Sequence, residues 1–121
     1  MPFAPNVCTD EVLLGSKRLA YRDDTGLTLH YNNGPNYVET SIKESGLRPT
    51  QYLKKLGILG ENVTLPHMLG LDESEIDILA STGPMAVVVP TAPVQGGAGM
   101  PQPGFPPEIL DAGLPVGLGP D

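Results

Sequence analysis

Apolar residues along this 121-residue chain switch repeatedly between helical spacing and short continuous runs, and each switch marks an element. Thr9 offers a capping hydroxyl, and Asp10 and Glu11 place negative charge on a first helical turn. Val12, Leu13, Ser16, Leu19 and Ala20 then form a stripe that runs out before Gly26. Leu27 to His30 reads as a short strand. Asn33, Gly34 and Pro35 turn the chain into a helix over Tyr37–Ser45, closed by Gly46. Pro49 opens another helix, Thr50–Leu56, which Gly57 ends.

The same rhythm continues. Val63 to His67 reads as a strand, and Asp72 with Glu75 three residues on makes a capping box. Ile76, Leu79 and Ala80 give the following helix its buried stripe, and Gly83 terminates it. Met85 to Val89 is almost wholly apolar, as a strand buried on both faces would be. Pro107 begins a short helix ending at Gly113, and Val116–Leu118 reads as a further strand. Phe3, Ala4 and Pro5 fit the tail of an earlier strand. Pro90 to Pro106, rich in glycine and proline, reads as an active-site loop, with a tether as the bland alternative.

Alternation of this kind implies an α/β fold of parallel strands with right-handed crossovers. A doubly wound sheet and part of a (β/α)8 barrel both satisfy it. The barrel is favoured because polar residues cap several strands, and because the chain stops on a strand with no covering helix after it. A whole barrel takes about 250 residues, so residues 1–121 are expected to be a single partial barrel domain.

Bulk properties exclude several partners. A net charge of −7 and a pI near 4.6 argue against nucleic acid and anionic membrane surfaces. The acidic side chains are spread along the chain and read as solvated surface; Lys17, Arg18, Lys54 and Lys55 read as solvated helix faces. The lone cysteine, Cys8, permits no internal disulfide, reads as a small, partly buried residue, and fits a cytoplasmic setting. No apolar run approaches membrane-spanning length, and Met1–Pro5 does not begin a signal peptide.

Three titratable residues follow strand-like runs: His30, His67 and Asp121. Strand carboxyl ends in a parallel α/β fold share one face, and that face carries the chemistry. Two imidazoles and a carboxylate converging there match a divalent metal's donor set. Each has an ordinary reading too: a hydrogen-bonded structural histidine, or for Asp121 a helix cap. The glycines at Gly96, Gly97 and Gly99 lack the strand–helix context of a phosphate loop.

These residues, taken in order, resemble the second half of the amidohydrolase-superfamily catalytic domain. The similarity is to the group of chlorotriazine hydrolases, methylthioadenosine/S-adenosylhomocysteine deaminases, and cytosine and guanine deaminases. Ala4–Glu11 resembles that family's strand-4 loop and helix start, and Leu29-His30 its strand-5 histidine. Gly46–Pro49 followed by Tyr52–Gly60, Val63–Met68, Leu71–Ile76 with Leu79–Gly83, Ile109–Gly113 and Val116–Gly119 match the later segments in order. The fold implied is about strands 4–8 of a (β/α)8 barrel.

By this resemblance His30 and Asp121 are ligands of one divalent ion, zinc or ferrous iron. Asp121 is also the general base, and His67 hydrogen-bonds the attacking water and the developing oxyanion. The implied activity is hydrolysis of C–N or C–Cl bonds in a heteroaromatic or cyclic-amide small molecule. The chain departs from the pattern in three places. The strand-1 His-x-His pair is absent, Asn33 stands at the position of the catalytic glutamate, and Pro93 replaces an asparagine after strand 7. The expectation is therefore that this chain alone is inactive and needs the missing N-terminal half or self-association. The contrasting readings are a binding module derived from the family, or a complete flavodoxin-like domain without metal.

Overall fold

The computed structural model describes residues 8–33, 35–90 and 107–120. Elements run in the order α1 (Asp10–Arg22), β1 (Leu27–Thr28), α2 (Pro35–Ser45), α3 (Pro49–Lys55), β2 (Val63–Pro66), α4 (Glu73–Thr82), β3 (Met85–Val88), α5 (Pro107–Asp111) and β4 (Val116–Leu118). The strands form one four-stranded sheet in the order β1-β2-β3-β4, every pair parallel. Strand order following chain order, with a helical connection at each step, is the topology of a barrel wall. The doubly wound alternative requires a switch point, and this sheet has none among the described residues.

Local chemistry sets the boundaries. Thr9 Oγ1 accepts the Val12 amide at 3.3 Å and starts α1. In the box at α4, Asp72 Oδ1 accepts the Glu75 amide at 2.9 Å and Glu75 Oε2 accepts the Asp72 amide at 3.3 Å. Gly83 then closes α4 with φ 75°, a left-handed conformation that costs glycine little. Pro49 occupies the first turn of α3, and Gln51 Oε1 accepts the Arg48 amide at 3.1 Å.

Register fixes which residues share a face. Leu27 lies beside Val63, and Leu65 beside Ala86, which lies beside Val116. These side chains point toward the helices and join Leu13, Leu29, Leu53, Leu79 and Ile109 in the core. Thr28, Thr64 and Met85 form one row on the opposite face; Pro66, Val87 and Gly117 form the next. Among the described residues no helix covers that second face. Thr28 is exposed, Thr64, Pro66 and Val87 are half-buried, and Met85 is 42% exposed. On this side a Cβ at Gly119 would stand 3.0 Å from Val87 Cγ1, and one at Gly117 3.9 Å from Val87 Cγ2.

The register corrects four sequence expectations. β3 is buried on one face rather than two. The buried stripe of α1 is Leu13, Lys17 and Ala20, while Val12 and Leu19 face solvent. Lys17 is thus a buried residue, its stem covered and its ammonium donating to Asn62 Oδ1 at 2.8 Å. In α4, Ala80 is exposed and Glu75 takes the inward position together with Leu79. The suggested strand at Phe3–Pro5 and the loop from residue 91 to 106 lie outside the described residues.

Candidate active site

β1 and β2 deliver His30 and His67 to the same end of the sheet. Tyr31 and His67 form an isolated parallel bridge just beyond the paired strands. That register puts His30 opposite Pro66, on the helix-free face. Strict alternation would send His67 the other way, alongside Tyr31. The rings are nevertheless neighbours, with centroids 5.0 Å apart and planes tilted by 47°.

The backbone accounts for the difference. His67 and the next residue, Met68, both have positive φ, 76° and 56°. Left-handed backbone takes His67 off the pleat and re-aims its ring. For non-glycine residues such conformations cost on the order of 1–3 kcal/mol each, and they persist only where surrounding contacts enforce them. Here the His67 amide donates to the Val87 carbonyl at 3.0 Å, Met68 to Tyr31 at 3.4 Å, and Leu69 to Asn32 at 2.9 Å. The turn after β2 is thereby tied to β3 on one side and to the end of β1 on the other.

Asn32 adds a second unusual feature. It is fully buried with φ 47°, and among the described residues neither its side-chain oxygen nor its nitrogen has a hydrogen-bond partner. An unpaired buried polar group costs about 1–3 kcal/mol. Native proteins leave such groups chiefly where water or a ligand completes them.

Beneath the histidines lies a polar assembly that sequence reading missed. Glu75, fully buried, is paired with Arg48, whose Nε lies 2.8 Å from its Oε2. The Thr50 amide donates to Glu75 Oε1 at 3.1 Å, and the Thr50 hydroxyl bonds the buried Tyr31 hydroxyl. Burial and the charge of Glu75 push the Tyr31 phenol well above its ordinary value, so it stays neutral. Arg48 also donates to the Gly70 carbonyl at 2.7 Å and pairs with Asp72 Oδ2 at 2.9 Å. The available signal was the capping box itself. Its Glu75 occupies a core-facing position of α4, and a buried carboxylate demands a cation.

Of the predicted site residues, the structure brings together His30, half-buried, and His67, buried. Asn33 is exposed three residues after His30. Asp121 and Pro93 lie outside the described residues. No group of three or more His, Cys, Asp or Glu side chains suited to a metal ion occurs among the described residues. Two neighbouring imidazoles are part of a zinc donor set, which takes three or four protein ligands. Open grooves lined by Tyr21, Asp24, Glu61 and Asn62 lie at the other end of the sheet, away from the histidines. No helix among the described residues is long and apolar enough to cross a membrane.

No family model matches the sequence. Comparison with individual proteins is decisive. The chain is 32% identical over 121 residues to the 5-methylthioadenosine/S-adenosylhomocysteine deaminase of Pyrococcus furiosus, covering 99% of this chain and 28% of that protein. Its fold matches a zinc-bound adenosine deaminase from Xanthomonas campestris with a TM-score of 0.85 and 27% identity, covering 98% of this chain and 26% of the other. The chain belongs to the amidohydrolase superfamily. A zinc-complexed atrazine chlorohydrolase from Arthrobacter aurescens TC1 matches this amidohydrolase segment at TM-score 0.81 and 27% identity, over 93% of this chain and 24% of that one. The segment spans between 18% and 28% of the length of the curated relatives it matches. Its four parallel strands correspond to part of an amidohydrolase (β/α)8 barrel.

Proposed function

We propose that this chain is the part of a metal-dependent amidohydrolase that holds the strand-5 and strand-6 histidines, and that the enzyme cleaves a C–N bond of an adenosine-type heteroaromatic ring. The observation that carries the reading is the His30–His67 pair, 5.0 Å between ring centroids at the carboxyl ends of adjacent strands. In this reading His30 and Asp121 are ligands of a divalent ion, zinc being the ion in the matched structures. Such an ion lowers the pKa of water to about 7 and so makes hydroxide available at neutral pH. Asp121 accepts the proton from the attacking water. His67 hydrogen-bonds that water and the oxyanion that grows on the ring. The remaining ligands and substrate contacts come from barrel strands beyond these four, or from a second copy. The segment's share of its relatives' length and the helix-free sheet face support this.

Asn33 favours a second reading. An amide cannot shuttle a proton as a carboxylate does, and an amine or ammonia leaves only when protonated. Chloride leaves without a proton. A C–Cl bond of a chlorinated heteroaromatic ring is therefore the alternative scissile bond.

Zinc titration followed by product assays tests both. With the remaining barrel strands supplied as a second polypeptide, zinc should bind, and His30→Ala should weaken binding by at least about tenfold. Ammonia release from 5-methylthioadenosine supports deamination; chloride release from a chlorotriazine instead supports the second reading. A folded complex with the remaining barrel strands that binds no zinc and releases neither product overturns both in favour of a non-catalytic binding module.

A further inference from the structure

We propose that the Arg48–Glu75 ion pair is a positioning device: it holds the turn after β2 in the left-handed conformation that brings His67 to His30. Alternation along β2 would place His67 on the helix side with Tyr31, so the pairing of the two rings depends on the positive φ values at His67 and Met68. Backbone of that kind relaxes unless something opposes it. The fork of Arg48 meets the turn on one side, through the Gly70 carbonyl at 2.7 Å, and Asp72 Oδ2 lies 2.9 Å from its Nε. Its other partner, Glu75, is anchored by the Thr50 and Asp72 amides at 3.1 and 3.3 Å. Thr50 in turn bonds the Tyr31 hydroxyl, one residue beyond His30. A continuous hydrogen-bonded path therefore links the chain just after His30 to the chain just after His67. The path runs through Tyr31, Thr50, Glu75, Arg48 and Gly70.

The geometry stands by itself; its consequence for catalysis rests on the proposed role of the two histidines. Arg48→Lys in the 121-residue chain separates position from stability. Lysine keeps a positive charge opposite Glu75 but lacks the planar fork that also reaches Gly70. The Met68 and Leu69 amides, which close the turn onto Tyr31 and Asn32, should exchange with solvent about tenfold faster or more. The Ala86 amide, bonded to the Pro115 carbonyl within the sheet, should keep its rate. The nuclear Overhauser effect between the two imidazoles should weaken in parallel. Ile109→Val, a core change away from this path, should leave the ratio of Met68 to Ala86 exchange and the ring-to-ring signal unaltered. Glu75→Gln, which preserves shape while removing the charge, should repeat the Arg48→Lys pattern, and serves alone should that variant not fold.

Uniform acceleration at Met68, Leu69 and Ala86 makes the pair merely structural and overturns the proposal, as does an unchanged ring-to-ring signal. Zinc binding by the unsubstituted chain is measured separately. A selective exchange response in a chain that binds no zinc even with the remaining barrel strands supplied supports the positioning role while removing the metal reading.

Discussion

The two ends of the sheet are built on opposite principles. At the carboxyl end, Asn32, His67 and Met68 adopt left-handed backbone, and the buried Asn32 side-chain amide has no hydrogen-bond partner among the described residues. At the amino end, polar groups are satisfied: Asn62 accepts the Lys17 ammonium on its side chain and the Leu27 amide on its carbonyl, each at 2.8 Å. The left-handed residue other than glycine there is Asp24, exposed and of a type that tolerates the conformation. Strain and unmet hydrogen bonding are thus concentrated where the histidines are. A barrel uses its amino end for stability and its carboxyl end for chemistry, and within these four strands the left-handed backbone and the unmet polar groups beside the histidines lie at the carboxyl end.

The comparison breaks most readily at Glu75. Glu75→Ala leaves Arg48 without its buried partner and removes half of the α4 capping box, so unfolding free energy should drop by about 3 kcal/mol, read from urea titration. A loss below about 1 kcal/mol would mean that the carboxyl end is held by packing alone. Lys17→Met probes the other end. Burial lowers the pKa of this lysine, and methionine fills the space of its stem without the desolvation penalty. Stability should change by no more than about 1 kcal/mol, and zinc binding not at all. A loss of zinc binding would end the separation of the two faces.

The smallest effect is a pH dependence. Partial burial pushes the Asp72 carboxyl up, but hydrogen bonds from the Ser74 hydroxyl and the Glu75 and Ser74 amides, with the charge of Arg48, bring it below its ordinary value. A depressed carboxylate contributes stability above its unfolded pKa of about 4 and loses it as pH falls through the folded value. Asp72→Asn should therefore flatten the acid limb of the stability curve below about pH 4. Because Asp72 is half-exposed, the difference should be under about 1 kcal/mol. An unchanged acid limb would assign the acid sensitivity to other carboxylates.

Much of the architecture was legible because local chemistry writes it. The Thr9 cap, the Asp72–Glu75 box and the closing Gly83 each act within a few residues, and all appear where the sequence placed them. Solvation was less legible. Lys17 and Glu75 read as surface charges, yet both are buried, because their partners Asn62 and Arg48 lie 45 and 27 residues away. Single-residue properties do not encode such pairings. His30 and His67 were legible as a pair from their equivalent places after successive strands. The manner of their meeting was not, since a histidine and a methionine give no local sign of left-handed backbone, whereas a glycine would.

Val87 and Gly119 bear on how this sequence can change. Because a methyl group at residue 119 would meet Val87 Cγ1 at 3.0 Å, the order of substitutions matters. Gly119→Ala arising first requires Val87 to give by a few tenths of an ångström, while the same change after Val87→Ala enters vacated space. A lineage, or a library screened one position at a time, would record residue 119 as less tolerant than it is. Paired sampling of the two sites would open it.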